Sequence, residues 1–141
     1  MKYLIDTDII VYLLNGDTSL LQRLQKAGRK NVYVSAITVA ELYFGAYNST
    51  KVEQNLNTLK RFLPKIKKLD FTADMGPLFG EMKKELMKKG LKVGEVDSDV
   101  YIATTATYHK FTLVTNNERH FKRIPKLKIE NWKIKNQELN F

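Results

Sequence analysis

The chain contains no cysteine, which excludes disulfides and thiolate-bound zinc. Histidine is scarce as well, with only His109 and His120. No apolar run approaches the roughly 18 residues that a membrane-spanning helix needs. The N-terminal apolar stretch is broken by Asp6 and Asp8, which does not fit a secretory leader. These absences set the expectation of a cytoplasmic protein without a membrane partner. No repeat, low-complexity tract or linker divides the 141 residues. A single domain over 1–141 is therefore expected, with its core over about 2–132 and a C-terminal tail over 133–141.

Acidic residues are the minority charge: 15 Asp and Glu face 24 Lys and Arg, for a net charge of +9. Such a balance suits either a solvated lysine-rich surface or a polyanionic partner whose counterions the lysines displace. The basic residues fall in short blocks (Lys65, Lys67, Lys68; Lys83, Lys84, Lys88, Lys89; Lys122, Arg123, Lys126, Lys128), and the sequence does not show whether the blocks share a face.

Short apolar runs alternate with longer helix-like segments. Strands are expected at Tyr3–Ile5, Asn31–Val34, Lys65–Asp70, Thr112–Thr115 and Leu127–Glu130. Helices are expected at Ile9–Leu14, Ser19–Ala27, Ala36–Tyr47 behind a Ser35 cap, Val52–Phe62, Phe71–Lys89, Ser98–His109 and Glu118–Phe121, with a loop at Gly94. Strands separated by helices imply an α/β protein with a mainly parallel sheet covered on both faces. In such a sheet, functional groups collect at the carboxyl ends of strands.

That rule makes the few acids informative. Asp6 ends the first strand, with Asp8 just after it. Glu41 lies in SAITVAELYFGA, near Ile37 and Phe44 on a helix and at the margin of an apolar stripe. Asp97 and Asp99 open DSDVYIATTA, whose Ala103, Thr104, Thr105 and Ala106 allow close approach to the sheet. Asn116, Asn117 and Glu118 follow the TLVT strand that Thr115 ends. Each has a structural alternative: a helix cap at Asp97, a lysine partner for Glu41, a turn at Asp6 or at Asn116–Asn117. Taken together, carboxylates gathered in one crevice repel one another unless protonated or neutralised by a cation. An oxygen-rich donor set suits Mg²⁺, or Mn²⁺, rather than Zn²⁺. A hard cation in a basic protein points to phosphodiester chemistry.

The segments LIDTDIIVYLL, SAITVAELYFGA and VDSDVYIATTATYHKFTLVTNNERHFKRIPKLKIENW resemble, in order and spacing, the PIN-domain ribonucleases. They look most like the VapC toxins of VapBC toxin–antitoxin pairs. The resemblance implies a three-layer αβα PIN-like domain and a Mg²⁺- or Mn²⁺-dependent endoribonuclease acting on tRNA, rRNA or mRNA. It also implies a homodimer silenced by a cognate VapB-like antitoxin. By the same resemblance Asp6, Glu41 and Asp99 match the principal acidic positions, with Asp6 and Asp99 as metal ligands. Asp97 matches an accessory position for a weaker second ion. Thr115 matches a hydroxyl position beside the metal. The fourth acidic position falls on Asn117, where this chain carries a carboxamide, and Glu118 is the adjacent acid. Asp8 is read as starting the helix, with a minor role.

Two rival readings are kept. Asp-x-Asp after an apolar strand also resembles haloacid-dehalogenase-like phosphatases, although their later Lys and acidic pair are not in order here. Asn117 alone would suit a PIN-fold RNA- or protein-binding module impaired in catalysis.

Overall fold

The computed structural model describes residues 1–90 and 97–134. The loop expected at Gly94 and tail residues 135–141 lie outside the described residues. Strands β1 (Tyr3–Ile5), β2 (Val32–Ser35), β3 (Lys67–Leu69), β4 (Thr112–Val114) and β5 (Ile129–Glu130) form one sheet in the order β3-β2-β1-β4-β5. Every pairing is parallel, and β1 lies at the centre with Tyr3 opposite both Val32 and Thr112.

The helices are α1 (Thr7–Leu14), α2 (Thr18–Ala27), α3 (Ala36–Tyr47), α4 (Val52–Phe62), α5 (Gly76–Lys88), α6 (Asp97–His109) and α7 (Glu118–Phe121). Side chains alternate across a strand, so β1 feeds two cores at once. Tyr3 and Ile5 pack with Ile9, Ile10, Leu20, Leu42 and Leu59 of α1–α4 on one face. Leu4 packs with Met82, Leu86, Val100, Ile102 and Phe121 of α5–α7 on the other. The result is the expected three-layer α/β architecture.

Two local expectations are revised. A helix from Phe71 would place Pro77 in its interior, where the missing N–H and ring clash cost about 3 kcal/mol. Instead a short 3₁₀ turn covers Ala73–Met75, and α5 starts at Gly76 with Pro77 in its first turn, where proline is tolerated. On α3, the buried stripe is Thr38, Leu42 and Ala46, while Phe44 is 70% exposed rather than core.

The Ser35 cap forms as expected, its hydroxyl accepting from Thr38 N at 3.0 Å. Trp132 is buried edge-on against Tyr3 with the Arg23 guanidinium over its ring. Just beyond it, the Lys133 ammonium pairs with Asp17 at the start of α2.

Candidate active site

Outward from β1, the chain builds β2 and β3 on one side and β4 and β5 on the other. The topological switch point therefore falls between β1 and β4, and an open parallel sheet leaves a crevice at the carboxyl ends there. Asp6 and Thr115 are the first residues past those two strands. The Asp6 amide closes the gap, donating to the Val114 carbonyl at 2.8 Å.

Asp6 caps α1 and is only 5% exposed. Its Oδ1 accepts from the Thr7 amide (2.8 Å), and its Oδ2 accepts from the fully buried Thr115 hydroxyl (2.7 Å). Asp8, in the first turn of α1, accepts from the Ile9 amide (2.7 Å) and from the Asn116 amide (3.1 Å). Burial, reinforced by the charges of Asp8 and more weakly of Asp99, pushes Asp6 up to about 7 despite the hydrogen bonds from Thr115 and Thr7. Burial also raises Asp8, opposed by the amides of Ile9 and Asn116. Among the described residues, none of the ion pairs involves Asp6, Asp8 or Glu41.

Glu41 reaches the same turn from α3. The Thr7 hydroxyl donates to its Oε1 at 2.7 Å and also lies 3.0 Å from the hydroxyl of the buried Thr38. Asp99, in the first turn of α6, contacts His120 of α7, with Nδ1 and Oδ2 2.9 Å apart.

The remaining expected residues sit differently. Asp97 is the first helical residue of α6, and its carboxylate pairs with Lys83 of α5 at 3.0 Å. Asn117 uses its backbone amide to donate to the Thr115 hydroxyl at 2.9 Å. Glu118 accepts from Asn131 at 3.4 Å. No contact among the described residues ties Asp97, the Asn117 side chain or Glu118 to Asp6.

Beside Asp6, Glu41, Asp99 and Thr115, the structure gives Asp8, Thr7 and His120 contacts that the sequence does not announce. Asp8, read as starting the helix, is half-buried, and burial raises its carboxyl as it raises that of Asp6. Thr7 fastens Glu41 through its hydroxyl. His120 stands 21 positions from Asp99, and no spacing rule connects them. The one available signal was Asp8 itself, a carboxylate in an apolar run beside another.

Among the described residues, no three acidic or imidazole side chains already cage an ion. Mg²⁺ does not require that: it is usually held by one or two carboxylates, with waters and substrate phosphates completing its shell. Hard oxygen donors at Asp6 and Asp8, in no ion pair among the described residues, fit such a cation.

Comparison with known proteins agrees with this layout. The PIN domain family profile matches residues 3–127. The chain is 41% identical over 134 residues to Ribonuclease VapC2 of Rickettsia felis, covering 94% of this chain and 98% of that protein. It is 30% identical over 132 residues to the tRNA(fMet)-specific endonuclease VapC of Salmonella typhimurium, again with 94% and 98% covered. Among solved structures, VapBC2 from Rickettsia felis bound to a promoter DNA fragment superposes with a TM-score of 0.85 at 40% identity, covering 94% of this chain and 100% of that chain. DNA-bound VapBC from Salmonella typhimurium also gives 0.85, at 30% identity with 94% and 99% covered. A switch-point cluster of acids on a parallel sheet and relatives matched over nearly their whole length lead to one assignment: the chain belongs to the PIN-domain family and, within it, to the VapC ribonucleases.

Proposed function

We propose that this protein is a divalent-metal-dependent endoribonuclease, the toxin of a toxin–antitoxin pair, with Asp6, Glu41 and Asp99 as its principal site residues. The observation that carries the reading is the crowding of Asp6, Asp8 and Asp99 at the switch point without a lysine or arginine partner among the described residues. Asp6 and Asp99, with Asp8 adjoining, would hold Mg²⁺ or Mn²⁺. Such a cation supplies charge neutralisation, polarises a phosphate and favours ionisation of a nearby water.

The protein's own groups do the rest. Glu41, oriented by the Thr7 hydroxyl, takes the proton of the attacking water. The water oxygen bonds to phosphorus as the bond to the 3′-oxygen breaks. The departing oxygen takes up a proton, leaving a 3′-hydroxyl and a 5′-phosphate. Thr115 keeps Asp6 in place through its hydroxyl. Asp97, whose carboxylate pairs with Lys83, is left out of the principal ligand set.

Charge suits a nucleic acid, and the similarity to VapC ribonucleases makes RNA the proposed substrate. Lys89 donates to the Arg123 carbonyl at 2.7 Å, which brings the basic blocks of α5 and of residues 122–128 together beside α7. A tRNA is the first candidate, given the name of the Salmonella relative. A VapB-like antitoxin is the proposed partner, since the similar structures are VapBC complexes. A homodimer is proposed as the active form, measurable by light scattering. Membership of the PIN family removes the support for a phosphatase reading.

The test is cleavage of purified tRNA and total RNA with Mg²⁺ or Mn²⁺, followed by sequencing of the new ends. Cleavage that stops in EDTA and in Asp99→Asn, with 5′-phosphate products, is expected. Metal-independent cleavage, or RNA binding without cleavage, would overturn the proposal, the latter in favour of an impaired binding module.

A further inference from the structure

Asp99 is held in the crevice by a histidine that the expected chemistry leaves without a task. His120 lies on α7, whose next residue, Phe121, is 1% exposed and packs into the α5–α7 core. The backbone of this segment is also tied down: the His120 amide donates to the Asn117 carbonyl at 3.2 Å, and the Asn117 amide donates to the Thr115 hydroxyl at 2.9 Å. The imidazole is thereby set where its Nδ1 stands 2.9 Å from Asp99 Oδ2. At the other end of the same segment, the Thr115 hydroxyl grips Asp6 Oδ2 at 2.7 Å. A single stretch, Thr115–His120, therefore holds one oxygen of each of the two aspartates offered above as ligands.

We propose that His120 is a positioning residue for Asp99. An ionised carboxylate only accepts, so Nδ1 is the donor and Nε2 is not needed for the contact. The N–H holds Oδ2 and so fixes the orientation of the carboxylate that would hold the cation. Groups that hydrogen-bond a metal-ligating side chain typically change metal affinity or activity by about 10- to 100-fold when removed. The inference rests on the ligand role proposed for Asp99, and its test keeps the two ideas apart.

Three substitutions separate the ring nitrogens. His120→Phe removes both, His120→Asn keeps a donor near the place of Nδ1, and His120→Gln keeps an amide near that of Nε2. Mn²⁺ binding to the purified protein, followed by electron paramagnetic resonance of the free ion, is measured beside RNA cleavage. His120→Phe is expected to weaken Mn²⁺ binding by roughly 10- to 100-fold and to lower cleavage in parallel at limiting Mn²⁺. His120→Asn should recover most of that loss and His120→Gln little of it. Unchanged Mn²⁺ affinity in His120→Phe would overturn the proposal, as would rescue by Gln and not by Asn. Asp99→Asn serves as the separate control: if it binds Mn²⁺ and cleaves like the wild type, the ligand assignment itself fails, whatever the His120 variants do.

Discussion

The chain carries two Asp-x-Asp doublets, Asp6-Thr7-Asp8 and Asp97-Ser98-Asp99, and the fold treats them differently. Both stand at the start of a helix. In the first, Asp6 is buried and Asp8 half-buried beside it, both hydrogen-bonded by amides, Asp6 also by a hydroxyl, and neither in an ion pair among the described residues. In the second, each acid has its own partner, Lys83 for Asp97 and His120 for Asp99. The first doublet has no basic partner among the described residues; the second is split, with Asp97 in a partly exposed ion pair and Asp99 against His120. Identical spacing thus gives different electrostatics, because Asp6 follows a buried central strand while Asp97 faces Lys83 at a partly exposed helix start.

The largest effect expected to sharpen this contrast is on catalysis. Asp6→Asn and Asp99→Asn should each lower RNA cleavage by about 10³-fold or more, equivalent to roughly 4 kcal/mol of transition-state stabilisation. Circular dichroism should remain native. Wild-type turnover in either variant would remove that doublet from the site.

The next effect concerns pH and the metal-free fold. Asp6 is pushed up to about 7 in the folded protein, so between about pH 4 and pH 7 the folded state binds more protons than the unfolded one. Stability is thus greatest at the acidic end of that window and falls as pH rises through it, by on the order of 3 kcal/mol. Thermal melts in EDTA should show this fall, Asp6→Asn should flatten it, and saturating Mn²⁺ should reverse it. A melting temperature that climbs between pH 5 and pH 7 in EDTA would contradict the upward push on Asp6.

Asp8→Asn comes third. Removing the neighbouring charge should bring Asp6 down, shrink the pH slope by roughly half and weaken metal binding about 10-fold. An unchanged slope would mean that burial alone acts on Asp6.

The smallest effect belongs to the outward pair. Asp97→Asn or Lys83→Met should change stability by less than about 1 kcal/mol, as for other partly exposed ion pairs, and cleavage by less than about threefold. If Asp97→Asn instead matches Asp99→Asn, the second doublet is not split, and Asp97 returns to the ligand set.

Much of the fold was legible because its signals are local. The Ser35 cap, the α3 and α4 boundaries and the α7 turn follow from residues within a few positions of one another. Pro77 was legible too and was passed over; its missing amide decides where α5 begins. Of the site, Asp6 and Thr115 could be read because strand ends in a parallel sheet are themselves predictable. Phe44 could not: a residue's place beside Glu41 on a helix does not tell which of two neighbouring stripes faces the core.

By itself, the sequence determined the α/β class, the strand-end carboxylates, the family resemblance and the absence of thiolate chemistry. These depend on residue type and short-range periodicity, which a chain displays without folding. Tertiary structure alone decided that Asp8 shares the corner with Asp6, that Lys83 takes Asp97, and that His120 reaches Asp99. Those outcomes depend on β1 and β4 lying side by side and on α5, α6 and α7 packing over one face of the sheet. Charge interactions act through space, and only the packed sheet brings residues distant in sequence within reach of one another.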